Sequence, residues 1–146
     1  MVRYDLVIIN RSFWPIYPVI GEGLMRLAES LVPIKKVAVI TQDHSNIKKS
    51  LKDFKRGFGV KFFPAWAISN SSSNFFKRIF DTLFFMIWVL IFLIRTRPKK
   101  IYVSTDPPVL VPFIVAIYSK IMRVKYFYHL QDIHPEATNV VFKINY

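Results

Sequence analysis

Two polar segments late in the sequence hold residue types that could act on a sugar hydroxyl. Asp106 is followed by two prolines, and Asp132, His134 and Glu136 lie within five residues of one another. Histidine exchanges a proton near neutral pH, and a carboxylate two residues away could orient it or accept a hydrogen bond from a hydroxyl. The same residues could equally begin helices, because Asp caps helices and Pro is tolerated in a first turn. Both interpretations stay open.

A third candidate segment lies near the start of the chain. Gly21, Glu22 and Gly23 stand at a predicted strand-to-helix junction, where backbone amides attract phosphate, although the spacing is not G-x-G-x-x-G. Phe13 and Trp14, just upstream, could stack on a sugar or lie in lipid. They could also fill the top of the core, which is the more common role of such residues.

Alternating strand and helix patterns must position these candidates. Continuous apolar runs predict strands, and helical periodicity begins at Gly21 and returns at about 75–95 and 107–123. The predicted strands are 4–10, 37–41, 59–64, 101–104 and 124–130. Strands that alternate with helices predict an α/β fold, a Rossmann-like doubly wound parallel sheet, whose ligands bind outside the carboxyl ends of the strands. His129 falls inside the last strand and is interpreted as a core histidine.

The composition excludes several classes of protein and narrows the choice of partner. The 146 residues suit one domain, and the lack of cysteine excludes disulfide scaffolds, Cys-ligated metal centres and cysteine nucleophiles. The 21 Lys and Arg against 9 Asp and Glu give a net charge of +12, which favours an anionic partner. Because mean hydropathy is also high, at +0.30, an anionic membrane surface is favoured over nucleic acid, for which the sequence has no module motif.

One predicted helix raises the question of a membrane span. Residues 83–94 form a run of 12 apolar residues, but Asp81 and Thr82 interrupt the pattern just upstream. A membrane span needs about 20 apolar residues. Basic residues also flank this run at both ends, whereas a span is expected to have them mainly at its cytoplasmic end. These features favour a core helix with one lipid-contacting face over a helix that crosses the membrane.

Three segments together resemble glycosyltransferase family 4, in particular the enzymes that build bacterial surface polysaccharide, such as lipopolysaccharide, on lipid carriers. The segments are 8–15 with 21–28, 103–108 and 128–136, and they occur in the order found in that family. The resemblance implies a GT-B enzyme with two Rossmann-like domains, in which the N-terminal domain binds the acceptor and the C-terminal domain binds the nucleotide sugar. It also implies that sugar transfer needs no metal.

The resemblance further implies roles for individual residues. Asp132 and His134 would act as the catalytic residues, near the acceptor hydroxyl and the sugar in transfer. The Gly21–Gly23 turn would lie near the donor phosphates. The expected substrate-binding set is Phe13, Trp14, Gly21, Glu22, Gly23, Asp106 and Glu136.

The sequence therefore predicts one Rossmann-like domain over residues 1–146, incomplete at its C-terminus and without the donor-binding domain. The expected function is the acceptor-binding half of a glycosyltransferase of the hexosyltransferase type, inactive alone, that acts on a lipid-linked glycan. It would lie in the cytoplasm, peripherally on the inner membrane, and use no cofactor beyond its nucleotide-sugar substrate. The alternative is a non-catalytic subunit that recruits a separate donor domain to the membrane.

Overall fold

Strands and helices alternate along the part of the chain that the computed structural model describes, which comprises residues 3–43, 46–69, 73–106 and 109–130. The strands are β1 (Leu6–Ile9), β2 (Val37–Asp43), β3 (Lys61–Trp66), β4 (Lys100–Ser104) and β5 (Lys125–His129). The helices are α1 (Pro18–Leu31), α2 (Ile47–Asp53), α3 (Phe75–Thr96) and α4 (Leu110–Met122).

All five strands are parallel and form one sheet in the order β3-β2-β1-β4-β5. The central strand is β1, in which Ile9 pairs with Ile40 on one side and Val103 on the other. Val7, Ile8 and Ile9 are wholly buried because helices cover both faces of the sheet at this point. The predicted α/β, doubly wound parallel fold is confirmed.

The side chains of the strands divide between two cores. Ile8, Val39 and their neighbours pack under α1 and α2, on one face of the sheet. Alternate residues, such as Val7 and Val103, pack under α3 and α4, on the other face. The chain changes face between β3 and β4, so the two pairs of helices lie on opposite sides of the sheet.

Two helices begin at positions other than those predicted. The first, α1, begins at Pro18, three residues before Gly21, since Pro suits a first helical turn. Gly21 therefore lies inside the helix, where an added Cβ would clash with the Trp14 amide nitrogen. At the other end of the chain, α4 begins at Leu110 instead of residue 107.

The long helix α3 buries one stripe and exposes the rest. Residues four apart, from Phe85 through Val89 to Leu93, are wholly buried against the sheet, whereas Phe80 is 62% exposed. Of the helices that the described residues form, α3 is the one long and apolar enough to cross a membrane, although a core helix meets the same criteria.

Phe85→Ala should lower the free energy of unfolding by about 3–5 kcal/mol, because it leaves a cavity between α3 and the sheet. Urea unfolding followed by circular dichroism measures this change. Phe80→Ala is the matched control and should shift stability by less than about 0.5 kcal/mol. Equal effects of the two substitutions would contradict the packing of α3 described above.

Candidate functional site

The crevice expected to bind ligands lies at the carboxyl ends of β1 and β4. The connections that follow these neighbouring strands run to opposite faces of the sheet, which is the switch point at which ligands of such sheets bind. The loop after β1 contains Asn10, Arg11 and Ser12, and the loop after β4 contains Thr105 and Asp106.

Hydrogen bonds join these two loops across a sequence separation of 94 residues. The Ser12 amide donates to Oδ2 of Asp106 over 2.9 Å, and the Arg11 amide donates to the Asp106 carbonyl over 3.1 Å. Asn10 is wholly buried between them, where it accepts from the Ser104 hydroxyl and donates to the Ser12 carbonyl. The crevice wall is therefore held by polar contacts, not by apolar packing.

Asp106 has one carboxylate oxygen that is not hydrogen-bonded within the part of the chain that the structure describes. Its side chain is half-buried, and Oδ1 takes no hydrogen bond from another described residue. The helix after this loop has Val109 as its N-cap and no side-chain cap, so the capping interpretation of Asp106 is wrong. The carboxylate accepts a hydrogen bond from the Ser12 amide in the other loop, not from the first turn of a helix.

An ion pair with a fully buried carboxylate holds the loop after β1 against α3. The Arg11 guanidinium donates to Oδ2 of Asp81 over 2.6 Å, and Asp81 has no exposed surface although it lies on the apolar helix α3. The Gln42 side-chain amide and the Ser69 hydroxyl each donate to the same carboxylate over 2.6 Å, and the Ile68 amide does so over 3.0 Å. Every oxygen of this buried carboxylate is thus well partnered.

The electrostatics of Asp81 favour its charged form. Burial by itself would raise the pKa of this carboxyl group. The hydrogen bonds from Ser69 and Ile68, the positive charge of Arg11 and the hydrogen bond from Gln42 outweigh that effect, so the pKa of Asp81 is lowered below its usual range. The carboxylate is consequently ionised at neutral pH and holds Arg11 in place.

The sequence interpretation missed this cluster, because it treated Asp81 as an interruption in an apolar helix. A usable signal was present: one carboxylate within 22 otherwise apolar, basic or neutral residues needs a buried partner, since an unpaired charge there is costly. Arg11, directly after the first strand, was the natural cation. The contributions of Gln42 and Ser69 depend on the strand order, in which β2 lies beside β1 and β3 lies beside β2.

The Gly21–Gly23 segment does not form a helix-start phosphate cradle. The Gly21 amide already donates to the Tyr17 carbonyl over 2.9 Å inside α1. Glu22 pairs with Arg26 over 2.7 Å and with Arg56 over 3.3 Å, and both hydrogen bonds lower the pKa of Glu22. The predicted position of this segment at the helix N-terminus is therefore wrong, because Pro18 begins the helix one turn earlier.

Phe13 and Trp14 fill the core under α1, as the more common of their interpretations predicted. Phe13 is 3% exposed and Trp14 9% exposed, so neither ring is free to stack on a sugar. The interpretation of His129 as a core histidine was wrong. It lies on an exposed strand, and its Nδ1 is 2.5 Å from the Tyr102 hydroxyl.

The predicted catalytic residues Asp132 and His134, together with Glu136, lie outside the described residues. The strand that leads toward them, β5, ends at His129, one strand away from β1. Within the described residues, Asp106 therefore lies against the loop after β1 at the carboxyl edge of the sheet. Gly21–Gly23 lie in α1 instead, and Phe13 and Trp14 lie in the core beneath it.

A cavity of about 490 Å³ opens elsewhere, between α1 and β5. It lies toward the amino ends of the strands, where Asp5, Lys99 and Lys100 line it, and not at the carboxyl edge where ligands of such sheets bind. In the described ranges, no three histidine or carboxylate side chains come close enough to hold a metal ion.

No protein-family model matches the chain, and no curated protein matches it.

Asp81→Asn should destabilise the fold by about 3 kcal/mol, because it leaves the Arg11 guanidinium partly buried without its counter-charge. Chemical unfolding at pH 7 measures the loss. Asp53→Asn, an exposed carboxylate at the end of α2, is the matched control and should change stability by less than about 0.5 kcal/mol. A loss no larger than that of the control would show that the ion pair does not stabilise the fold.

The same pair predicts a pH dependence. Because the folded-state pKa of Asp81 is lower than its unfolded value, its contribution is complete above about pH 4 and is lost as the pH falls further. The wild type should therefore lose more stability than Asp81→Asn between pH 5 and about pH 2. Parallel pH profiles of the two proteins would contradict the lowered pKa.

Proposed function

We propose that this chain is the acceptor-binding half of a glycosyltransferase that moves a sugar from a nucleotide sugar to a lipid-linked glycan. The observation that carries the proposal is the contact between Ser12 and Asp106. Two of the three segments that resemble glycosyltransferase family 4, those after the first and fourth strands, meet there over 2.9 Å at the edge of a parallel sheet where ligands bind.

In this proposal the described residues bind and orient the acceptor. Oδ1 of Asp106 accepts a hydrogen bond from a sugar hydroxyl, while Oδ2 stays on the Ser12 amide. Arg11, held by Asp81, keeps the loop after β1 in a single position. Asp132 and His134, by resemblance, lie near the hydroxyl that attacks the donor sugar.

The proposed location is the cytoplasmic face of the inner membrane. A lipid-linked acceptor is confined to the bilayer surface, and a basic, apolar protein is suited to work there. A soluble half-enzyme acting on such an acceptor gains effective concentration when it is held on the same surface.

The test is acceptor binding by the chain itself. A short-prenyl diphosphate sugar in detergent micelles should bind, and Asp106→Asn should weaken binding by at least about tenfold, since hydrogen bonds to charged groups contribute about 1.5–3 kcal/mol. Isothermal titration with a small panel of sugars measures this. Asp53→Asn is the matched control and should bind as the wild type does.

Two results would overturn the proposal. One is a failure of every lipid-linked sugar to bind better than the matching prenyl diphosphate without sugar. The other is an Asp106→Asn variant that binds the sugar-bearing lipid as well as the wild type does.

A second candidate function is the non-catalytic recruitment of a separate donor domain to the membrane. The observation that favours it is the exposed apolar surface of α3, which contributes nothing to the crevice. Purification of the chain from its source cells under mild detergent, followed by mass spectrometry, separates the two. If a separate soluble transferase domain co-purifies in a stoichiometric amount and the chain itself binds no acceptor, the result supports recruitment as the only function.

A further inference from the structure

Between the basic residues near the helix ends, the exposed surface of α3 and α4 is apolar. On α3, Phe76 is 83% exposed, and Phe80, Ile87 and Ile94 are each more than half exposed. On α4, which packs beside α3 on the same face of the sheet, the exposed apolar residues are Phe113, Ile117 and Ile121. Monomeric soluble proteins rarely expose so continuous an apolar surface, which instead marks an interaction site.

Among the described residues, the exposed charges on α3, on α4 and at their ends are all positive. Exposed basic residues stand at the start of α3, at its end and at the end of α4, and they are Lys77, Arg78, Arg95, Arg97, Lys120 and Arg123. Asp81 is the sole acidic residue within α3 and α4, and it is wholly buried. An apolar surface with a cationic border and no exposed acid is complementary to an anionic lipid bilayer.

The packing of α3 decides how the helix meets that bilayer. Phe85, Val89 and Leu93 are wholly buried against the sheet, and Asp81 is paired with Arg11. A helix that crossed the membrane would have to leave the core along this whole stripe and carry an unpaired carboxylate into lipid. Its two ends, both basic, would also lie on opposite sides of the membrane.

We infer that α3 and α4 lie flat on an anionic phospholipid bilayer, with α3 in the plane of the membrane and held there by its buried stripe and by Asp81. The inference deepens the proposed function by specifying which face of the domain meets the lipid. It also gives Asp81 a mechanical role, because this residue joins the membrane-contacting helix to the loop that borders the acceptor crevice.

The chain contains no cysteine, so a single introduced cysteine carries one fluorescent probe without background. Phe80→Cys, Ile87→Cys and Ile94→Cys, labelled with an environment-sensitive dye, should each shift to the blue on vesicles of phosphatidylglycerol and phosphatidylcholine. Val19→Cys is the matched control, since Val19 is 87% exposed but lies on α1 at the opposite face of the sheet. Its probe should not shift.

Quenching by spin-labelled lipids then measures the depth of each probe. For an in-plane helix, the probes at positions 80 and 94 should lie at similar shallow depths. A helix crossing the membrane would separate them by about 21 Å along its axis, at 1.5 Å per residue. That separation, or the absence of any shift on anionic vesicles, would overturn the inference.

A charge variant tests the contribution of the basic border. Lys77→Gln with Arg95→Gln should weaken vesicle binding by about 25-fold, at about fivefold per basic residue near an anionic surface. Lys48→Gln with Lys49→Gln, both exposed on α2 at the other face, is the matched control and should change binding by less than about twofold. Equal effects of the two pairs would contradict the assigned orientation.

Sedimentation without lipid addresses the other occupant of an apolar surface, a second copy of the chain. Self-association that shifts the same three probes in the absence of vesicles, with no further change when vesicles are added, would overturn the inference. These vesicle experiments contain no glycan lipid. Loss of acceptor binding with vesicle binding intact therefore refutes only the proposed function, and the reverse result refutes only the membrane orientation.

Discussion

The ion pair between Asp81 and Arg11 is the interaction on which the functional edge of this domain depends. It connects the long helix α3 to the loop that follows the central strand, and the Gln42 and Ser69 side chains and the Ile68 amide are the other donors to the carboxylate. A charge at this depth is stable because it is paired and fully hydrogen-bonded, by donors from the loop after β1, from β2 and from the loop after β3. The pair consequently fixes the rotation of α3, the position of the loop after β1 and the alignment of β2 and β3 with both.

From that rotation follows the unusual surface of the molecule. Once Asp81 faces inward, the stripe through Phe85, Val89 and Leu93 must face the sheet, because these residues follow at intervals of four. The remaining apolar residues of α3 are then left on the outside beside those of α4. The apolar and basic residues of the chain are therefore arranged on two sides of α3. One side packs in the core, and the other is an apolar face bordered by cations.

The crevice proposed to bind the acceptor and the apolar face are connected through few bonds. Arg11 contacts Asp81 through its side chain, and its own amide donates to the Asp106 carbonyl. Any ligand bound against Asp106 is thus two residues away from the helix proposed to rest on lipid. This arrangement suits a protein whose substrate has a water-soluble sugar at one end and a membrane anchor at the other.

Local pattern was sufficient to predict the alternation of strands and helices, the parallel sheet and the loop that holds Asp106, because apolar runs and helical periodicity act over a few residues. It also favoured the core as the location of Phe13 and Trp14, which is where the structure has them. What only the tertiary structure decided were contacts between distant segments: Ser12 on Asp106, Arg11 on Asp81, and the exposure of His129 on the last described strand. Such contacts depend on strand order and helix rotation, which are set by the joint packing of the whole core and by no single stretch of sequence.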